Sequence, residues 1–172
     1  MFSKEITTTA EDYRSLVSFT EFTLKKSNNI ICIIAAAVAV AVLVTGLAGL
    51  IPLYVSGAVG AACTCVILVT VLLVRKKADD GIKYGKVLLN AKRTFSYDTQ
   101  AVKVVGGRTD TDISFSWNTI FKIYETEKYF FIYFRYDLAY CLPKDQLNMQ
   151  EVLEVRNYFI KKMEGRFVKK CK

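Results

Sequence analysis

Ile30 to Val74 is a run of 45 residues without one Asp, Glu, Lys, Arg, Asn or Gln. Nothing else in the chain constrains its fold so strongly. A bilayer core of roughly 30 Å is crossed by about 20 apolar residues in a helix. One straight helix of this run would reach about 68 Å, which is too long, whereas two spans fit. The break is expected between Thr45 and Pro52, where Gly46, Gly49 and Pro52 cluster. Pro52 has no N–H and disfavours helical geometry at Ile51, so it can open a helix but would interrupt one. The run therefore predicts a tight hairpin with spans of about Ile30–Leu47 and Pro52–Val74. The alternative, a core hairpin of a soluble protein, fits poorly with a run far beyond the 18-residue threshold.

The flanks orient the hairpin. Lys25 and Lys26 precede it, Arg75-Lys76-Lys77 follow it, and the loop between the spans is uncharged. Lys and Arg beside spans stay on the cytoplasmic side, so a two-span cell-membrane protein with both ends cytoplasmic is expected. Ala35/Ala39, Ala37/Ala41, Ser56/Gly60 and Gly57/Ala61 are each four apart. Such small-residue pairs let helices approach closely, to pack the spans on each other or to form a homo-oligomer. Neither span holds an ionisable group, which disfavours a channel or a pump.

The charge lies elsewhere. The net +8 is concentrated beyond the hairpin, where 20 of the 24 basic and 12 of the 16 acidic residues lie from Arg75 onward. A basic part next to a bilayer points to anionic headgroups as a partner besides the bilayer itself. No nucleic-acid motif is present, and no nucleic acid is expected. The N-terminal segment carries four acids before Ile30, unlike a cleavable signal peptide.

Five Cys and no His give no plausible zinc set, no CxxC pair and no expected disulfide framework, metal or cofactor. Without His the commonest general base and the His-containing triads are gone. Asp110-Thr111-Asp112 could offer two carboxylates to a divalent ion, but beside Gly106-Gly107-Arg108 it reads as a turn, as does Asp79-Asp80-Gly81.

Around the hairpin, Phe2–Thr9 is β-prone and Ala10–Lys26 reads as a helix capped by Thr9 with Asp12 three residues on. Beyond it, a short helix Ile82–Ala91 is expected to pack under the following domain. From Thr94 the pattern changes to period two, predicting strands at about 93–98, 101–105, 111–116, 119–125, 128–135 and 138–142. Tyr129 to Phe134 is apolar on both faces, so an outer cover is expected as well as a core. Asn148 and Glu151 form a capping box for a last helix whose apolar face is Val152, Val155, Phe159 and Met163. Gly165 is expected to stop it, leaving a frayed basic tail from Arg166 to Lys172.

Strands followed by one helix suit a bent sheet or open barrel plugged by that helix. Here the chain resembles the bacterial YcxB-like proteins. The likeness rests on Phe95 and Tyr97, on Ser116-Trp117-Asn118-Thr119-Ile120 leading to Ile123-Tyr124-Glu125, on Tyr129-Phe130-Phe131-Ile132-Tyr133, and on Ala139-Tyr140-Cys141-Leu142-Pro143-Lys144. It is sharp over residues 93–160. It implies an α+β membrane protein: an N-terminal segment (1–29), a hairpin (30–74), a connector (75–92) and a pleckstrin-homology-like (PH-like) cytoplasmic domain (93–172). It implies no enzymatic activity and no catalytic residues. Trp117, Ile120, Pro143 and Lys144 are its structural landmarks.

The expected function is thus a non-enzymatic, membrane-anchored binding or scaffold module with a protein partner. The alternative is a sensor of anionic headgroups or phosphate ligands through Lys92, Arg93, Lys103 and Arg108, residues that equally suit a solvated face.

Overall fold

The protein is described by a computed structural model covering residues 2–25, 27–83, 92–106, 113–136 and 138–170. It is a mixed α+β chain that divides into two compact units, Met1–Leu16 with Gly85–Lys172 and Val17–Tyr84.

The second unit holds the hairpin. Helix α2 runs Ser27–Leu47 and helix α3 runs Leu53–Lys83. Both are long and apolar enough to cross a membrane, and only 11% and 6% of their apolar windows are buried. A core helix of a soluble protein would be mostly buried, so these helices leave their apolar surface for something else to cover. The break falls in the expected place. Gly49 takes φ +75°, a value that favours glycine. Its N–H donates to the Gly46 carbonyl and that of Leu50 to Thr45, ending α2. The Pro52 carbonyl accepts from Val55 and Ser56, opening α3.

The less exposed positions of α2 recur at Cys32, Ala35, Ala39, Val42 and Gly46, a spacing of three and four that makes one seam. Ser56, Val59, Gly60, Cys63 and Ile67 make the facing seam of α3. Ala37, Ala41, Gly57 and Ala61 lie on exposed faces. The seam continues past Val74 through buried Ala78 and Gly81. That continuity carries α3 helically through Asp79-Asp80-Gly81, so the expected turn there is absent. Ile82 and Lys83 complete α3, and the rest of the expected connecting helix lies outside the described residues. At this charged end the buried Glu21 accepts hydrogen bonds from Lys25 (2.9 Å), Asn28 (3.3 Å) and Lys77. Burial works to raise its pKa, but the two lysines outweigh it and hold it below the usual carboxylate range.

The first unit contains the sheets. Strands β1 (Phe2–Thr7), β2 (Lys92–Tyr97), β3 (Ala101–Val105) and β4 (Ile113–Ser116) form one antiparallel sheet in that order. Helix α1 (Ala10–Phe19) follows β1 and carries the expected cap: Asp12 accepts from the Thr9 N–H and hydroxyl at 2.8 Å each. It runs into a π-helical turn, Thr20–Leu24, where one longer helix was expected. The second sheet is β7 (Ala139–Pro143), β6 (Tyr129–Tyr133), β5 (Lys122–Glu125) and β8 (Phe167–Lys169). Helix α4, Met149–Met163, has the full capping box of Asn148 and Glu151.

The strands sit close to their expected places, with three differences. First, the sheets are separate and open, so no barrel closes. Second, residues 117–119 form a 3-10 turn instead of starting β5. Trp117 is drawn inward, its indole N–H donating to the Asp98 carbonyl at 2.9 Å. Third, the basic tail is not frayed through Lys169. It adds β8 parallel to β5, and Arg166 donates to the Ile120 carbonyl at 2.7 Å. Glu164, with φ 46°, makes the reversal expected of Gly165.

The core is aromatic. Phe95, Phe130, Ile120, Ile123, Ile132, Leu142, Val155 and Phe159 are fully buried. Full burial of such a side chain is worth about 1.5–3 kcal/mol. Phe95 stacks on Tyr140 at 5.7 Å and Phe115 on Phe134 at 4.2 Å, which joins the two sheets. The outer face of β6 is buried too, at Phe131 and Tyr133. At its start, α1 supplies cover: Ser15 and Asp12 lie beside the Tyr129 phenol.

Candidate functional site

Among the charged residues on inward strand faces of this domain, Lys4 is paired with Glu151 at 2.9 Å. The environments of Glu125 and Arg93 differ sharply.

Glu125 is opposite the core residue Phe130 and is fully buried. Arg156 of α4 donates to it from Nε (2.8 Å) and Nη2 (2.6 Å), and Lys144 donates at 2.7 Å. Lys144 also donates to the Thr126 carbonyl at 2.6 Å and lies 4.6 Å from the centre of the Phe130 ring. Burial alone would raise the Glu125 pKa, but the hydrogen bonds from Arg156 and Lys144 outweigh it and hold the carboxyl below its ordinary range. Oε1 takes three of these contacts and Oε2 accepts from Arg156 Nε at 3.0 Å, so the carboxylate is committed to two cations. It ties β5, α4 and the turn after β7 together.

Arg93 is opposite Ile6, whose side chain is buried in the core, so its own side chain also points inward. Its Nε is buried and has no hydrogen-bond partner among the described residues. It lines a cavity of about 180 Å³ whose walls come from both sheets, α1 and the residues beside them. Val104 and Ile113 line the same side of the cavity, and Ala139, Tyr140 and Cys141 of β7 lie opposite. Phe134 and Leu138, and Thr8, Tyr13 and Leu16, complete the lining. Arg93 is the sole charged residue of this lining among the described residues. Burial pushes the Tyr140 phenol up to about 12, against the pull of the nearby guanidinium. Burial likewise pushes the Cys141 thiol up, which leaves it protonated and a poor nucleophile.

The residues singled out as a basic patch do not converge. Lys92 and Lys103 are on the outward face of the first sheet, and each has an acid: Glu5 at 3.8 Å and Asp98 at 3.2 Å. Arg93 faces the other way. Arg108 lies outside the described residues, as do Asp110, Asp112 and Cys171. No group of His, Cys, Asp and Glu suited to a metal occurs among the described residues.

Residues 98–159 match the family described as YcxB-like protein. No curated protein and no solved structure matches the chain. The matched segment starts at the turn between β2 and β3 and ends within α4. It holds every landmark of the resemblance, and each has a structural task. Trp117 is buried between Tyr97, Tyr158 and Phe159. Ile120 is core, Pro143 ends β7 and Lys144 caps Glu125. The segment leaves out the hairpin and Arg93.

Sequence reading missed Glu125 and Arg156 as a pair. The usable signal was a lone acid at an inward position of an apolar strand, which burial forbids without a cation.

Proposed function

We propose that this chain is a non-catalytic, membrane-anchored binding module. The hairpin crosses the cell membrane with both flanks cytoplasmic, and the α+β domain is PH-like in architecture: a sandwich of bent sheets closed by a C-terminal helix. One observation carries the binding role. Met149, Leu153 and Ile160 fall within one narrow arc of α4 and are 84%, 46% and 47% exposed. Single exposed apolar residues are ordinary, but an aligned set on the helix that closes a domain marks a docking face. The partner that fits it is a protein with an apolar groove or helix. The non-catalytic reading is supported by the pairing of buried Glu125 with Arg156 and Lys144 and by the protonated, buried Cys141. The headgroup-sensor alternative retains the overall +8 charge in its favour, but its named lysines are each engaged with an acid.

Crosslinking of the full-length chain in its native membrane tests this reading. A specific protein adduct that the Leu153→Glu/Ile160→Glu variant loses is the expected result. The same adducts from the variant, or adducts to lipid alone, would overturn it. For the topology, Cys171 should react with a membrane-impermeant maleimide only after the cytoplasmic side is opened.

A further inference from the structure

We propose that the cavity beside Arg93 is a binding site for a small carboxylate with an apolar body, an interaction separate from the docking face on α4. Four observations lead there. Arg93 is the sole charge in the lining among the described residues, so the site favours an anion. Its Nε is buried and unsatisfied among the described residues, a costly state that a ligand oxygen relieves. Asp12, whose charge acts on Tyr140 of the same lining, is itself engaged by the Thr9 N–H and hydroxyl. The remaining walls are apolar at Val104, Ile113 and Phe134 and offer only the hydroxyls of Thr8, Tyr13 and Tyr140.

The chemistry narrows the ligand class. A guanidinium presents a planar fork that matches a carboxylate in two parallel hydrogen bonds. One cationic residue balances a monoanion, whereas a phosphate at neutral pH brings more charge and more tightly held water than these walls can replace. Size sets the body of the ligand. The cavity volume is about 180 Å³. An engineered apolar cavity of roughly 150 Å³ holds benzene, so an aromatic acid or an aliphatic acid of comparable bulk fits, with its carboxylate on Arg93.

The test uses the full chain in lipid nanodiscs and a fluorobenzoate followed by fluorine NMR. Saturable line broadening is expected, displaced by benzoate and hexanoate but not by benzyl alcohol or inorganic phosphate. Palmitate separates the two sources of a carboxylate: displacement by hexanoate alone assigns a free small acid, while equal displacement by palmitate assigns an acyl chain drawn from the bilayer and overturns the size argument. Arg93→Met should weaken binding at least tenfold, with Trp117 fluorescence reporting that the domain is intact. Should that variant fail to fold, Leu138→Trp, at a partly exposed wall position, narrows the space with the charge intact and should also weaken binding. Absence of saturable binding to the wild-type chain, displacement by the neutral alcohol, or unchanged affinity in a folded Arg93→Met variant would each overturn the proposal.

Discussion

The hairpin and the sheet domain use apolar residues in opposite ways. In the hairpin Ile33, Leu43, Leu68 and Leu73 are 57–62% exposed, and the shielded positions are a narrow seam of mostly small residues. In the sheet domain Phe95, Phe130, Ile132 and Phe159 are at 0%. Leu and Ile on the hairpin gain nothing from their own chain and must be covered from outside. Aromatic residues on the strands make their own interior. The hairpin helices are therefore long and apolar enough to cross a membrane, while the sheet domain relies on its own packing and hydrogen bonds. A substitution of one kind should accordingly have unequal effects in the two regions.

The strongest test of that contrast pairs two truncations. Phe159→Ala removes a ring that packs on Phe130 at 5.6 Å and on Trp117 at 5.9 Å. Loss of a buried aromatic of this kind costs about 3–5 kcal/mol. Leu68→Ala removes a side chain that is 57% exposed and should leave domain stability unchanged. Urea titration of the nanodisc-held protein, read by Trp117 fluorescence, measures both. Equal effects would mean that the two regions unfold as one unit and would break the contrast.

Second in size is the buried ion cluster, which has no counterpart inside the spans. Arg156→Met leaves Glu125 buried with Lys144 alone, and removal of one partner of a buried pair costs about 3–5 kcal/mol. Met keeps much of the stem's packing, so the lower end of that range is expected. The same cluster sets an acid limit. Glu125 has a lowered pKa in the folded state, so its contribution is fully present above the unfolded carboxylate value, roughly 4.3, and is lost as pH falls through the lower folded value. A fall in the urea midpoint between about pH 5 and pH 3, flattened in Glu125→Gln, is the expected signature. An acid response identical in the variant would assign it to other carboxylates, such as Asp98 and Glu151, whose pKa values are also lowered.

How legible each region was follows from the same contrast. The hairpin is written locally: 45 uncharged residues, a Gly-Gly-Pro break and basic flanks fix the helices and the turn with no knowledge of the rest. The strands are written nearly as plainly, because alternation and turn residues are local too. Features that depend on distant partners were hidden. β1 pairs with β2 across the whole hairpin, and β8 pairs with β5 across α4. Three basic-flanked residues carry no strand signal until a free edge exists beside them. Arg93 was grouped with Lys92 and Lys103 because all are basic, but period two in a strand sends neighbours to opposite faces. The continuation of α3 through Asp79-Asp80-Gly81 was hidden because a turn-rich triplet outweighed the seam of Val74, Ala78 and Gly81. The candidate cavity was illegible, since its walls come from both sheets and α1.

The smallest expected effect sharpens the comparison from the hairpin's side. Where the spans do pack internally, backbone approach replaces side-chain burial. A Cβ placed on Gly46 would lie 2.5 Å from Ser56 Oγ and 2.7 Å from Ser56 Cβ. The first atom can rotate away; the second cannot without moving the helix. Gly46→Ala therefore pushes the two helices apart at this contact, and overpacking of this size costs about 1–3 kcal/mol. The better helix propensity of Ala returns about 0.5–1 kcal/mol, so a net loss near 1 kcal/mol is expected. Gly46→Ala/Ser56→Gly should recover it, because the Cβ that obstructs the new methyl is gone. The double-mutant coupling, measured as resistance of the hairpin to denaturing detergent, isolates this contact from propensity. No coupling would mean that lipid alone holds the two spans side by side, and the hairpin would then have no internal packing to compare with the sheet domain.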